Sequence, residues 1–420
     1  MGHGHSHGSH GVVEVGQRAR TYLIGLLAVF AVFAVAGMIW LWPSGAEMDG
    51  ALTKVVDAPG VSYADATITS VTEGCESSIE TPSGTAACLT VAIDIASGPD
   101  AGTQNTVELT GANVHNGLQA GDRIEVARVD TADGVHYSFS GVNRLPVLIT
   151  LAVLFVVAVL AVARLRGLMA MVGLGVAAWV LIGFMLPAVI VGKPGMAVAL
   201  AGSTAIMFIV LYVAHGISMR TSAALAGTLI GLAVTTALGA LAVHAARLSG
   251  FADENEYDLA QLAPAINFQD LLMVGIIIGG LGVLNDVTIT QASAVWELRA
   301  AAPEWTRSKV FAAGMRIGRD HIASTIYTIV FAYAGAALTV LLMLFFTARE
   351  PLALFTMEMF AGEGVRTFAS AIGLILSVPI TTGIAAMTVG PAKVLATGPK
   401  HGDDDEGVDA AEGAAPVEPA

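Results

Sequence analysis

Eight stretches of this 420-residue chain stay apolar for about the length that crosses a bilayer. A hydrocarbon core of roughly 30 Å takes about 20 residues of helix. Inside it, every backbone polar group must be satisfied within the protein. The stretches are Tyr22–Trp42, Pro146–Ala163, Leu168–Val191, Gly195–Ala214, Ala223–His244, Leu271–Ser293, Ile322–Phe346 and Phe368–Val389. Charged residues make up 13% of the chain, against roughly one-quarter in soluble proteins. The expected fold is therefore an all-α polytopic membrane protein of about eight transmembrane helices, with the lipid bilayer as its solvent. The first stretch reads as a retained anchor, because it is too long for a signal peptide and no small-x-small cleavage site follows it.

Lys and Arg in the flanks set the orientation. One side collects Arg18, Arg20, Arg164, Arg166, Arg220, the run from Arg299 to Arg319, Lys393 and Lys400. The opposite side carries the acidic loop "FADENEYDLAQ". Both termini are then cytoplasmic and the segment 43–145 is extracytoplasmic, in a bacterial plasma membrane. The formal net charge of −14 argues against nucleic acid as a partner, since phosphate contacts need a basic face. A homo-oligomer or a cell-envelope protein remains a possible partner.

Five runs in segment 43–145 alternate apolar and polar residues: "ADATITSV", "CLTVAIDIA", "NTVELTG", "DRIEVARV" and "VHYSFSG". Gly, Pro, Asn and Asp separate them. Short strands with turn punctuation predict a small β-domain, either an OB-like barrel or a sandwich. Cys75 and Cys88 lie here, on the oxidising side. They fit a disulfide, with a metal pair or reactive thiols as alternatives.

The domain boundaries follow: a His-rich cytoplasmic tail 1–20, an anchor helix 21–42, the β-domain 43–145, a seven-helix membrane domain 146–391, and an acidic disordered tail 392–420. The start, "GHGHSHGSHG", presents His3, His5, His7 and His10. Imidazoles in such a tract hold zinc, copper or nickel, so a divalent metal is possible there. No other cofactor is expected.

The polar chemistry concentrates in "GGLGVLNDVTITQASAVWEL". Residues three and four apart share a helix face. Gly275, Gly279, Gly282, Asp286, Thr290, Ser293 and Glu297 form one stripe. Its glycine half offers a flat surface for a neighbouring helix. Its polar half begins where a carboxylate costs about 2.5–3.5 kcal/mol at mid-helix on insertion scales. Asn285 sits at its edge. The stripe should face another helix or a cavity.

The next stretch begins "GMRIGRDHIASTIYT". Arg316 and Asp320 are spaced to pair, and Asp286 could meet Arg319 or His321. Arg316 also reads as an ordinary positive-inside anchor. Pro379 kinks the last stretch and frees a carbonyl, which Ser377, Thr381 or Thr382 could satisfy. Asn285, Asp286, Thr290, Asp320, His321 and Pro379 are the candidate substrate or ion residues. No HExxH or P-loop motif is present, so an enzyme is not expected.

"LPAVIVGKPG", "HGISMRTSAALAGTLIG", "DLLMVGIIIGGLGVLNDVTITQASAVWEL" and "GMRIGRDHIASTIYTIVFAYAG" resemble the YibE/F family of bacterial multi-pass membrane proteins, over about residues 145–390. The patterns around Gly282–Asp286 and Gly318–Asp320 match. The resemblance implies this architecture and a transporter-like expectation, with no defined activity. Three functions stay open: a permease for an unknown small solute or ion, metal export or handling through the His tract, and a scaffold whose outer domain binds a partner.

Overall fold

A computed structural model describes residues 15–56, 61–75, 80–81, 84–85, 88–131, 134–252, 254–346 and 350–390. The His tract and the acidic tail lie outside them. A first helix, α1 (Gln17–Leu41), leads into a short α2 (Gly45–Val56). The β-domain follows, with β1 (Val61–Glu73), β2 (Glu80–Thr81), β3 (Gly84–Thr85), β4 (Cys88–Ile95), β5 (Gln104–Thr110), β6 (Arg123–Thr131) and β7 (Gly134–Val142). The helical part then runs α3 (Leu145–Val180), a wide π turn (Leu181–Met185), α4 (Leu186–Ile190), α5 (Gly195–His215), α6 (Met219–Ala245), α7 (Glu254–Leu262), α8 (Phe268–Ala301), α9 (Arg307–Ala336), α10 (Leu338–Phe346), α11 (Pro351–Leu354) and α12 (Glu358–Thr388).

All five alternating runs form strands. They make an antiparallel sheet ordered β5–β4–β1–β6–β7. The first half of β1 pairs with β6 and the second half with β4, with an irregularity between Ile68 and Ser70. A bulge of this kind bends a strand and increases its twist. The sheet accordingly curls until β5 and β7 approach each other. Alternate residues, among them Ala66, Ile68, Val91, Ile93, Val107, Ile124 and Val126, fill the inside. Cys75 and Cys88 are joined by a disulfide, with their Cα atoms 5.7 Å apart. Arg128 bridges Asp100 at 2.7 Å, and the Tyr137 hydroxyl donates to the same carboxylate. That hydroxyl first, and then the guanidinium, lowers the Asp100 pKa.

Among the described residues, six helices are long and apolar enough to cross a membrane. The difference from eight has two sources. The stretches Pro146–Ala163 and Leu168–Val191 fall in one helical run, Leu145–Ile190. That run is broken at Arg164, which has φ 51° and ψ −132°. A methyl group at Gly167 would lie 2.8 Å from the carbonyl of Val159, eight residues earlier. A continuous helix would hold those residues about 12 Å apart along its axis, so the chain turns back sharply here. The stretch Ile322–Phe346 is split between α9 and α10 at Ala337, and α9 carries Arg316, Arg319 and Asp320 in its first half.

The two ends of the helix bundle are separately tied. At one end, Val15 bridges Val389, Gly16 N–H donates to Thr388 O, and the Arg307 guanidinium donates to Val389 O. The start of α1 and the end of α12 therefore meet. At the other end, Lys193 pairs with Glu47 at 2.6 Å, and Asp270 accepts from Gly195 N–H at 2.8 Å. Glu358 there receives Ser249 and Gly250. The Lys193 ammonium, backed by Ser44, holds the Glu47 carboxyl at about 2. The helices α6, α8 and α12 form the centre. Close contact there rests on glycine: a methyl group at Gly227 would overlap the Thr381 hydroxyl, and one at Gly373 the Thr235 hydroxyl.

Candidate functional site: the exposed side of α8

Three side chains cap the helices that build the region. Ser218 opens α6, Asn267 opens α8 and Thr306 opens α9, each oxygen accepting a backbone N–H of the first turn. Such caps satisfy donors that no helical carbonyl reaches.

The face of α8 that packs inward is not the stripe. Ile277, Leu284, Thr288, Gln291 and Val295 are buried. Gly279, Gly282, Asp286, Thr290 and Glu297 are exposed. Of the two expectations for the stripe, another helix or a cavity, its polar half does not meet the first among the described residues. Its glycine half has a different use. A methyl group at Gly275 would stand 3.4 Å from Arg366 Nη2, and one at Gly279 would stand 2.8 Å from Tyr333 Oη. The glycines make room for a guanidinium and a phenol, while Gly282 faces open space.

Tyr333 and Arg366 also line a cleft of about 400 Å³ with Leu271, Leu272, Glu358, Gly362 and Glu363. Arg366 pairs with Glu363 at 2.9 Å. Arg319 is fourteen positions before Tyr333, close to four helical turns, so the two share a side of α9. Half-buried Ile322 and Ile326 lie between them on that side. The exposed side of α8 thus carries the cleft with Tyr333 and Arg366 toward its start and Gly282, Asp286 and Thr290 beyond it, with Arg319 exposed on the adjoining α9.

The predicted polar contacts are not made. Among the described residues, no ion pair joins Asp286 to Arg319 or His321, or Arg316 to Asp320. Arg316, Arg319 and Asp320 are exposed. The Thr290 hydroxyl donates to the Asp286 carbonyl, four residues back, at 2.8 Å. Asn285 Oδ1 and His321 Nε2 are buried without a partner. The last helix continues through Pro379. Ser377 donates to Leu374 O and Thr382 to Val378 O, and Thr381 Oγ1 is buried unpaired. None of the three reaches the carbonyl of Ile375, the one freed by the proline.

A residue that sequence reasoning left aside holds this region together. Gln291 is 2% exposed. Its Nε2 donates to Gly314 O and to Thr382 Oγ1, both at 2.8 Å, tying α8 to α9 and α12. Thr228 and Thr288 share a buried hydrogen bond at 2.6 Å. The signal was present: Gly314 and Gly318 in "GMRIG", and Gly227 and Gly231 in "GTLIG", are small residues four apart, the spacing that lets membrane helices approach closely.

Long apolar helices, buried hydroxyls and glycine contacts define a multi-pass helical membrane protein with an appended β-domain. The family model described as "YibE/F-like protein" matches residues 151–391. That is more than half of the chain, and the protein belongs to this family. No curated protein and no solved structure is similar enough to match.

Proposed function

We propose that this protein is a permease that moves a small solute or ion along the exposed side of α8 and carries out no covalent chemistry. The observation behind this reading is Asp286. It is a carboxylate within a membrane-spanning helix, exposed on the same side as Gly282 and Thr290, beyond the cleft that Tyr333 and Arg366 line. Ionisable groups at membrane depth are expensive and mark solute or ion paths.

The reading includes eight crossings. They are α1, the two arms of the run broken at Arg164, α5, α6, α8, α9 with α10, and α12. This count is supported by the sharp reversal at Arg164 and by the meeting of the start of α1 with the end of α12. The positive flanks then place that end in the cytoplasm and the β-domain outside. The strand order β5–β4–β1–β6–β7, with β7 curling toward β5, supports a five-stranded OB-like barrel in this reading. In this reading the His tract 3–10 gathers divalent metal on the cytoplasmic side. Deleting residues 2–11 should then alter tolerance to zinc, nickel or copper, and unchanged growth in all three would remove that role.

The test of the main reading compares a deletion strain with the native strain by metabolite and metal profiling. Flux of the solute so found is then measured in proteoliposomes. Asp286→Asn and Asp286→Ala should insert at native levels and lose most of that flux. Native flux from Asp286→Ala would sink the reading.

A further inference from the structure

The polar half of the α8 stripe and the outward side of α9 carry charged side chains that are exposed among the described residues. We infer that a second copy of this protein covers them, in a two-fold arrangement that sets the α8 stripe of each copy against α9 of the other. The argument rests on depth and charge. Gly314 packs beside Val295, Gly318 beside Gln291, and Tyr333 beside Gly279, so α9 runs antiparallel along α8. Arg319 is therefore level with Thr290, and Arg316 lies a few residues from the level of Glu297. Each arginine stands about one helical turn, or about 6 Å, from the depth of an acid on the stripe, within reach of a guanidinium.

Nothing in the chain joins these groups. Asp286, Glu297, Arg316 and Arg319 are all exposed, and none takes part in an ion pair among the described residues. Arg316 is two residues from both Gly314 and Gly318, the positions that press on α8 and α12. Two residues turn a helix by about 200°, so Arg316 points away from its own α8. Asp320, one turn along the same face, makes no ion pair with it, so Arg316 is open to an acid of a second copy. Lipid cannot serve Asp286, because acyl chains offer no donor and a carboxylate there is costly. A two-fold interface is self-complementary: the acids on α8 and the bases on α9 occur in one copy and meet twice. Gly282, with open space above it, gives the facing helix a flat approach. The side of α8 that carries Asp286 is then covered by the partner and shielded from lipid. The inference needs only the membrane burial of α8 and does not depend on transport. Its assay reads association, so each idea can fail alone.

The experiment uses full-length chains carrying two different tags, co-expressed and co-purified from membranes in mild detergent. Native copies should co-purify. Asp286→Arg copies should not pair with one another, nor Arg319→Asp copies, since each brings like charges together. Asp286→Arg mixed with Arg319→Asp should pair again, because both contacts then join opposite charges across the interface. Pairing of Asp286 and Arg319 within one chain would give no such recovery. As a second measurement on a nearly native chain, Thr290→Cys with Arg316→Cys should form an oxidant-dependent band at twice the chain mass. The native cysteines are held in their own disulfide. Failure of native copies to co-purify, undiminished self-association of both charge variants, or no recovery on mixing together with no cross-linked band would overturn the inference.

Discussion

Gln291 shows how much a single side chain decides in this fold. Its amide replaces contacts with water by two bonds to other helices. Hydrogen bonds between membrane helices average about 0.6 kcal/mol and reach about 1.7. Gln291→Leu should therefore lower stability by about 1–2 kcal/mol, read as a drop in the midpoint of thermal unfolding in detergent. A midpoint at or above native would show that packing alone holds α9 in place. Asp100 makes a second prediction at this scale. Its folded pKa lies below the unfolded value, through the Tyr137 hydroxyl and the Arg128 guanidinium. The stability it contributes is present above the unfolded value of about 3.9 and is lost as pH falls through the lower folded value. Below about pH 4, amides of β6 and β7 should lose protection in the native chain. Asp100→Asn should flatten that dependence. Hydrogen exchange of the two chains at matched pH checks it, and identical profiles would refute it. Gln291 was visible in the sequence as a polar residue in an apolar stretch, and Asp100 as a turn residue between two alternating runs. Their partners were not, since these lie 23 to 91 residues away.

At the scale of elements, the packing of α6 on α12 is set by reciprocal glycine and threonine contacts. Gly373→Ala should overpack against Thr235, at a cost of about 1–3 kcal/mol. Adding Thr235→Ala should recover part of the loss, with a coupling of about 0.5–3 kcal/mol for groups in contact. Additive effects in a melting series would show that the helices separate more freely than this. In the β-domain, the disulfide closes a loop with a sequence separation of 13. Removing both cysteines should destabilise β1 and β4 by about 2–4 kcal/mol, measurable as lost exchange protection in those strands. The five long strands were legible because alternation is a local property. The helix α2 was not anticipated, although "SGAE" carries the signal for it: Ser44 and Glu47 cap each other's N–H groups, as a capping box does.

For the whole molecule, the break at Arg164 decides the topology. If the run Leu145–Ile190 crosses twice, Arg166→Cys and Lys309→Cys should react with an impermeant thiol reagent from the side that holds both termini. Lys193→Cys and Tyr257→Cys should react from the other side. The native cysteines are consumed in their disulfide and leave a clean background. Labelling of Arg166→Cys from the Tyr257 side would exclude the eight-crossing arrangement.

The sequence by itself determined that the chain enters a membrane, where most of its helices lie, and where its strands run. Apolar length and period-two alternation are properties of neighbouring residues, and the bilayer or the domain core enforces them directly. It also located the unusual carboxylate at Asp286. Only the tertiary structure decided which way that carboxylate faces. A membrane helix is apolar on every side, so its pattern does not distinguish a lipid face from a packed one. Glycine adds to the ambiguity, because the same missing side chain admits either a helix backbone or, at Gly275 and Gly279, a guanidinium and a phenol from elsewhere in the chain. The packed face of α8 was fixed instead by Thr288 and Gln291, whose buried bonds to other helices outweigh any preference written in α8 alone.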